Sequence, residues 1–435
     1  PHVGGGAEAT SATVLGQNVI HDRRAEQDFT WEWILAHELA HQWWGDLITV
    51  REWSHTWLHE SFATYSDYLF THHERGPDEG AWDLKGKKES YLNDAKNRYV
   101  RPIVFDRYER PHDNFDSHTY PKGAAVLHML RFVMGDNAFF TALSQFLKSH
   151  AYQAVDTHDF MNTVKDATGQ NLDWFFQQFL YKPGHPIFDV STTWDADKGV
   201  LNLKILQLQD TSMGVPIYRV PVEIGLVTSE GKRVERIWLE QAEENYHFKL
   251  PERALLVRFD EGNRLLKEWS FPKETAELIY QAKNDDVIGR EWAIRELAPS
   301  ANNPEVVACL MERTNVDSFW AVRKAAVEVL HQAKGKSLND LYRSRLNDSN
   351  SKVRVSALHA LASSKDLSHL ALFRERFEQD DSYLAQAEAL RAIGMIGSQE
   401  DLDYLKQAAA ISSPFEMLRQ AAHQAISQIR ARQSR

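Results

Sequence analysis

The C-terminal third of this chain repeats itself, and this repeat restricts the folds that the chain can adopt. The pattern Arg-x-x-Ala-x-x-x-Leu begins at Arg290, Arg323 and Arg354 and returns in weaker form at Gln386 and Arg419. Successive copies start 33, 31, 32 and 33 residues apart, a period typical of helix pairs that stack into a solenoid. Alanine allows neighbouring helices to approach closely, and leucine fills the space between them. We therefore predict an α-solenoid over 273–435.

These copies resemble HEAT-type repeats. The resemblance leaves two interpretations of the solenoid open. It is either an inert wall behind the rest of the protein or a surface that recognises a substrate or a protein partner.

Two other sequence patterns precede the repeats. Over 1–183, helical stretches end at glycines, and the first long helix is expected to run from 28 to Gly45. The segment 8–22 predicts one or two strands, and 46–53 predicts a short strand or an extended link. Over 184–272, apolar and polar residues alternate around short turns, which predicts an antiparallel β-sandwich. The predicted fold class is therefore α+β with several domains.

The composition excludes some classes of protein. The 435 residues carry a formal charge of -11 and have a pI of about 6.0, which argues against nucleic acid or an anionic membrane as the main partner. No apolar run reaches the roughly 20 residues of a membrane span. Cys309 is the single cysteine, so the fold needs no oxidising compartment and we expect this thiol to be buried. These features favour the cytoplasm but leave the compartment open.

The stretch "HELAHQWWGD" at 37–46 places costly polar groups in an apolar helix. Helical spacing puts His37, Glu38 and His41 on one face. The other side carries Trp33, Leu39 and Trp43 among its apolar residues, so the sequence predicts a helix with no side facing water. Burying two imidazoles and a carboxylate without partners would cost several kcal/mol. A divalent metal would satisfy them, since two imidazoles one turn apart can reach the same zinc ion.

A zinc site of this kind needs a third ligand. Eighteen residues separate His41 from Glu60, a lone carboxylate in the apolar run of the next predicted helix. His37, His41 and Glu60 would give a zinc ion three protein ligands and leave one position open. The alternatives are a chance occurrence of the motif and a Glu60 that only pairs with a neighbouring cation. Asp67, two turns after Glu60, is a candidate acceptor that orients a ligand histidine.

With "HQWWGDLITVREW" and "TWLHESFATYSDY" around these residues, the chain resembles the gluzincin zinc aminopeptidases, the family of aminopeptidase N and leukotriene epoxide hydrolase. The likeness extends over roughly 4–270. It implies a thermolysin-like, mainly helical catalytic domain, one zinc ion per chain and Glu38 as the catalytic base. The family's Tyr-x-Lys-Gly motif matches at Tyr120, which implies an oxyanion-stabilising hydroxyl.

The family's Gly-x-Met-Glu-Asn motif aligns with residues 5–9. The resemblance therefore assigns substrate binding to Gly5, Gly6 and Glu8, with Glu8 holding the free amino group of the peptide. Ala7 and Ala9 replace the family's methionine and asparagine. This departure indicates either an altered chain, with side chains truncated at these positions, or a loosened amine-binding edge.

The resemblance implies an aminopeptidase that removes N-terminal residues from peptides with a zinc-activated water. Two alternatives stay open: a zinc hydrolase of a non-peptide, epoxide-type substrate, and a non-catalytic repeat scaffold that retains a peptidase domain. The family places further domains before its Gly-x-Met-Glu-Asn motif. We therefore expect an additional N-terminal segment, or a partner segment, to complete the fold. The side-chain preference and oligomeric state are not predicted.

Overall fold

The computed structural model describes residues 5–433 and shows three successive groups of elements. The first group is mainly helical, with four short strands. Its helices are α1 (Glu32–Ala40), α2 (Trp57–Arg75), α3 (Pro77–Asn97), α4 (Gly123–Met134), α5 (Asp136–Ser149), α6 (Thr157–Thr168) and α7 (Asp173–Leu180). Its strands are β1 (Gly6–Ala7), β2 (Val14–Leu15), β3 (Thr49–Val50) and β4 (Ala154–Val155). The short strands predicted on either side of α1 are thus present.

Helix α2 lies at the centre of this group and packs against α1, α3 and α4. Every residue of its first nine, from Trp57 to Tyr65, is buried. Gly76 ends the helix with a φ of +90°, a conformation that glycine adopts readily, and Pro77 opens α3 at the position where a helix tolerates proline. The central position of α2 therefore places Glu60 inside the molecule.

Helix α1 differs from the prediction in two respects. It ends at Ala40, not at Gly45, because the chain turns sharply after His41 and folds into the loop before β3. Its second face is also not covered: Trp33 is 41% exposed and Leu39 60% exposed. The expectation of a helix without a water-facing side was wrong. Apolar residues identify an apolar face of a helix, but they do not show whether another part of the protein covers it.

The second group contains two sheets. One has the strand order β11-β5-β6-β9 and the other β10-β7-β8. Their bounds are β5 (Ile187–Asp195), β6 (Val200–Gln207), β7 (Val220–Thr228), β8 (Gly231–Leu239), β9 (Glu243–Lys249), β10 (Leu256–Phe259) and β11 (Glu268–Ser270). All neighbours are antiparallel except β11 and β5, which run parallel. The prediction of a purely antiparallel arrangement was therefore wrong at the β11 edge of the first sheet. The chain crosses from β10 in the other sheet before it forms β11.

The third group is helical throughout. Its helices are α8 (Thr275–Asn284), α9 (Val287–Glu296), α10 (Pro304–Val316), α11 (Trp320–Lys334), α12 (Asn339–Arg345), α13 (Ser351–Ser363), α14 (Leu370–Gln379), α15 (Tyr383–Ile396), α16 (Leu402–Ala408) and α17 (Met417–Gln433). The alanines of the repeated pattern are fully buried, as at Ala326 and Ala357. Cys309 is buried, as predicted.

The arginines of the repeated pattern form a ladder. Each of the first three donates two hydrogen bonds to an aspartate 25 to 27 residues later. The pairs are Arg290 with Asp317, Arg323 with Asp348 and Arg354 with Asp380. Each arginine also bonds a backbone carbonyl at the start of its own repeat. The ladder thus joins each repeat to the next by bidentate charged hydrogen bonds.

We expect Arg323→Met to destabilise the repeats by about 3 kcal/mol, because it leaves the buried carboxylate of Asp348 without its cation. Chemical denaturation followed by circular dichroism measures the change. Lys406→Met is the control, since loss of the exposed pair of Lys406 and Asp403 should leave the denaturation midpoint almost unchanged. Equal midpoints for the two variants would contradict the ladder's role.

A segment before α1 packs on the repeats. Asp28 accepts hydrogen bonds from Ser382 and from the backbone N–H of Leu384, and Arg24 donates to the carbonyls of Asp380 and Asp381. The first and third groups are therefore in direct contact. None of the helices within 5–433 combines the length and apolar character that a bilayer crossing requires.

Candidate metal centre

His37 and His41 turn the same ring nitrogen toward one point. Their Nε2 atoms lie 3.2 Å apart, and Oε2 of Glu60 lies 3.4 Å from the first and 3.3 Å from the second. All three residues are buried. The structure thus brings together the three residues that the sequence predicted as ligands, two from the end of α1 and one from the first turn of α2.

The charge at this point favours a cation. Nδ1 of His41 lies 2.8 Å from the carbonyl oxygen of Trp44, so it carries the proton and leaves Nε2 with a bare lone pair. Burial opposes charge on His37, yet Asp67 and Glu60 raise its pKa to about 9. Burial also opposes charge on Glu60, but the two histidines lower its pKa to about 2. The carboxylates of Glu60 and Asp67 thus stabilise positive charge beside the two imidazoles.

The same geometry fits a zinc ion. Ligand atoms bound to one tetrahedral zinc lie roughly 3.3 Å from one another, given bond lengths of about 2.0–2.1 Å. The three separations at this site, 3.2 to 3.4 Å, agree with that value. His37, His41 and Glu60 therefore fit a tetrahedral metal that keeps one open position.

Glu38 lies beside this triad and not within it. One carboxylate oxygen, Oε2, is buried and has no hydrogen-bond partner among the described residues. Burial raises the pKa of Glu38, which makes the carboxylate a better proton acceptor. An unpartnered, buried carboxylate at the edge of a cation site is suited to exchanging protons with a small molecule bound there.

Strand β1 forms the opposite side of the site. A Cβ atom added at Gly6 would lie 2.2 Å from Oε1 of Glu38, so only glycine allows the strand this close. Glu8, just after the strand, is half-buried, and it brings a carboxylate oxygen within 4.8 Å of ligand atoms of Glu38 and His41. Gly5 belongs to the same wall of the cavity. The predicted substrate-binding residues thus lie beside the candidate metal ligands.

Tyr120 comes from a π-helical turn, His118–Lys122, that leads into α4. Its ring stacks on His37 with 6.1 Å between ring centres, and its hydroxyl lies close enough to Glu60 that burial and this carboxylate raise its pKa above the usual range. Ser61 donates a hydrogen bond to the carbonyl of Thr119, which fixes the turn against α2. Tyr120 therefore stays protonated and faces the cation site.

A cavity of about 960 Å³ opens over these groups. Beyond the predicted residues, one face of α3 lines it with Trp82, Asp83, Gly86, Lys87 and Ser90. Lys87 contacts both Asp83 and Asp67, and Asp67 in turn lies 3.4 Å from Nδ1 of His37. The contribution of α3 to this cavity was not predicted from the sequence. The spacing of these residues on one helical face was the only signal for it.

Comparison with known proteins agrees with this geometry. Residues 3–179 match the family model described as peptidase family M1 domain. The match places an M1 peptidase domain in this part of the chain. Residues 339–427 match the model for HEAT repeats, which confirms the predicted resemblance of the C-terminal region.

Relatives of the M1 domain include aminopeptidases. Aminopeptidase N of Haemonchus contortus is 30% identical over 238 residues, 49% of this chain and 24% of that protein. Tricorn protease-interacting factor F2 of Thermoplasma volcanium is 29% identical over 205 residues, 46% of this chain and 25% of the relative. The chain thus matches about a quarter of the length of each of these relatives.

The fold of the whole chain also has a counterpart. A crystal structure of Legionella pneumophila aminopeptidase A in complex with aspartic acid superposes with a TM-score of 0.73, covering 98% of this chain and 60% of that one. The two chains share 16% sequence identity, so the likeness concerns the fold alone. It confirms an aminopeptidase-like arrangement of helices and sheets around the M1 domain.

Proposed function

We propose that this chain is the catalytic part of a zinc-dependent aminopeptidase, which hydrolyses the N-terminal peptide bond of peptides with a zinc-activated water. The observation that carries the proposal is the convergence of His37, His41 and Glu60 on one point, with atom separations that match a tetrahedral zinc. The match of residues 3–179 to the M1 family model supports the same reaction class.

His37, His41 and Glu60 would hold the zinc ion. When bound, zinc supplies Lewis-acid polarisation to the attacking water and to the substrate carbonyl. Glu38 takes a proton from the water while the water oxygen bonds to the carbonyl carbon. Glu38 then gives that proton to the nitrogen as the C–N bond breaks, so that the products are a free amino acid and a shortened peptide.

Tyr120 and Glu8 act on the substrate. The Tyr120 hydroxyl donates a hydrogen bond to the oxyanion that develops on the carbonyl. Glu8 accepts hydrogen bonds from the ammonium group of the substrate's first residue, and the edge at Gly5 and Gly6 lets the peptide approach the backbone closely. Because Glu8 and Glu38 lie close together, the cavity favours a positively charged peptide terminus over a blocked one.

The arrangement of the two sheets and of the helical repeats is also part of this proposal. We infer that the two sheets form a sandwich, since Phe188 of β5 and Phe259 of β10 contact across them with ring centres 5.5 Å apart. We infer likewise that the HEAT repeats form a solenoid held by the arginine ladder. The domain boundaries near 183 and 272, and a partner bound on the repeats, stay predictions.

Peptide cleavage with and without metal tests this proposal. We expect the full chain to release the first amino acid from a short peptide with a free N-terminus and to leave the N-acetylated peptide intact. Removing metal with a chelator should abolish release, and zinc should restore it while magnesium should not, since two imidazoles suit zinc better. Cleavage of both peptides alike, or protein that stays free of zinc, would contradict the proposal.

A further inference from the structure

Helix α3 reaches the metal centre through a chain of charges. The Nζ atom of Lys87 lies 2.7 Å from Oδ1 of Asp67 and 2.8 and 2.9 Å from the two carboxylate oxygens of Asp83. The other oxygen of Asp67, Oδ2, lies 3.4 Å from Nδ1 of His37. Lys87 is thus linked through Asp67 to His37, a predicted zinc ligand.

Asp67 is almost entirely shielded from solvent, so its negative charge needs a partner within the protein. Its side chain is 2% exposed, and that of Lys87 is 13% exposed. A carboxylate buried to this extent costs several kcal/mol unless a cation and hydrogen bonds compensate for the lost hydration. Lys87 is the ion-pair partner that the structure gives to Asp67 besides His37 itself.

The ring orientation of His37 depends on Asp67. For Nε2 to face the metal as a lone-pair donor, Nδ1 must carry the proton and donate it to an acceptor, which fixes the ring. A carboxylate can be such an acceptor only if it stays in position. Lys87 holds Asp67 from the far side, and Asp83, one turn earlier on α3, holds Lys87.

We infer that Lys87 is a positioning residue for the metal centre, acting through Asp67 on His37. The inference rests on the proposed zinc site. It assigns to the inner face of α3 a role in zinc affinity, in addition to lining the cavity. Removing the lysine should allow Asp67 to turn away or to recruit water, so that the His37 ring is no longer held in place.

Zinc affinity measured without substrate tests this inference. In a competition assay with a chromogenic chelator, Lys87→Met should bind zinc on the order of ten times more weakly than the wild-type chain, by analogy with the effects of removing partners of metal-bound histidines. Lys87→Arg, which keeps the charge, should recover part of the loss. Lys96→Met is the matched control, because Lys96 is exposed on the last turn of the same helix.

A double-mutant cycle shows whether Lys87 acts through Asp67. We expect Asp67→Asn to weaken zinc binding at least as much as Lys87→Met, and the double variant to bind no more weakly than Asp67→Asn alone. Additive losses, or a Lys87→Met chain with wild-type zinc affinity and only a raised KM, would overturn the inference. A wild-type chain that binds no zinc would instead overturn the proposed function.

Discussion

Glu38→Gln is expected to lower kcat on the order of 10³-fold, with zinc content unchanged. The glutamine keeps the size of the side chain but cannot accept the proton of the attacking water, and general base catalysis contributes about 10²–10⁴ in rate. The unpartnered oxygen of Glu38 makes no hydrogen bond to a described residue that the substitution would break. Turnover of an aminoacyl-arylamide, together with zinc content by emission spectroscopy, measures both effects.

Glu32→Gln is the matched control for this experiment. Glu32 begins the same helix, pairs with Arg75 and does not line the metal-site cavity. Its replacement should change kcat less than threefold or so, as expected for a surface pair. A Glu38→Gln chain that still cleaves the arylamide at the wild-type rate would remove Glu38 from the role of base.

Tyr120→Phe is expected to lower kcat by about 10²–10³-fold and to leave KM almost unchanged. The loss corresponds to one preorganised hydrogen bond that strengthens as charge develops on the carbonyl oxygen. The substitution removes only the hydroxyl, so the ring contact with His37 and zinc affinity should persist. Steady-state kinetics on a free peptide separates kcat from KM.

Tyr152→Phe controls for the loss of a tyrosine hydroxyl as such, because Tyr152 is 90% exposed and should not affect the rate. If Tyr120→Phe raised KM at an unchanged kcat, the hydroxyl would bind the ground state and would not stabilise the oxyanion.

The convergence of the three candidate metal ligands could be predicted because their geometry is largely local. His37 and His41 lie one turn apart, and costly side chains in an apolar run require a partner. Glu60 was assigned by its spacing and its family resemblance, and the structure places it against both histidines. The predicted HEAT-type resemblance is confirmed over 339–427 by the family model.

The missed features depend on contacts between elements that are distant in sequence or unmarked by a motif. Lys87 and Asp83 form an ordinary i,i+4 pair, and only the packing of α3 on α2 brings Lys87 to Asp67. The exposed face of α1 was mispredicted because periodicity identifies apolar residues but not what covers them. The parallel pairing of β11 was missed because alternation specifies a strand and not its neighbour.

The contact between 22–28 and the fourth repeat also affects the order of folding. Asp28 and Ser382 are 354 residues apart. During synthesis on the ribosome, Asp28 therefore emerges long before Ser382, its hydrogen-bond partner, has been made. Closing so long a loop carries a large entropic cost, and domains made during synthesis fold as units before such contacts form. The wall that carries Glu8 comes shortly before this segment in the chain, so we expect the cavity to reach its final shape only after the repeats have assembled.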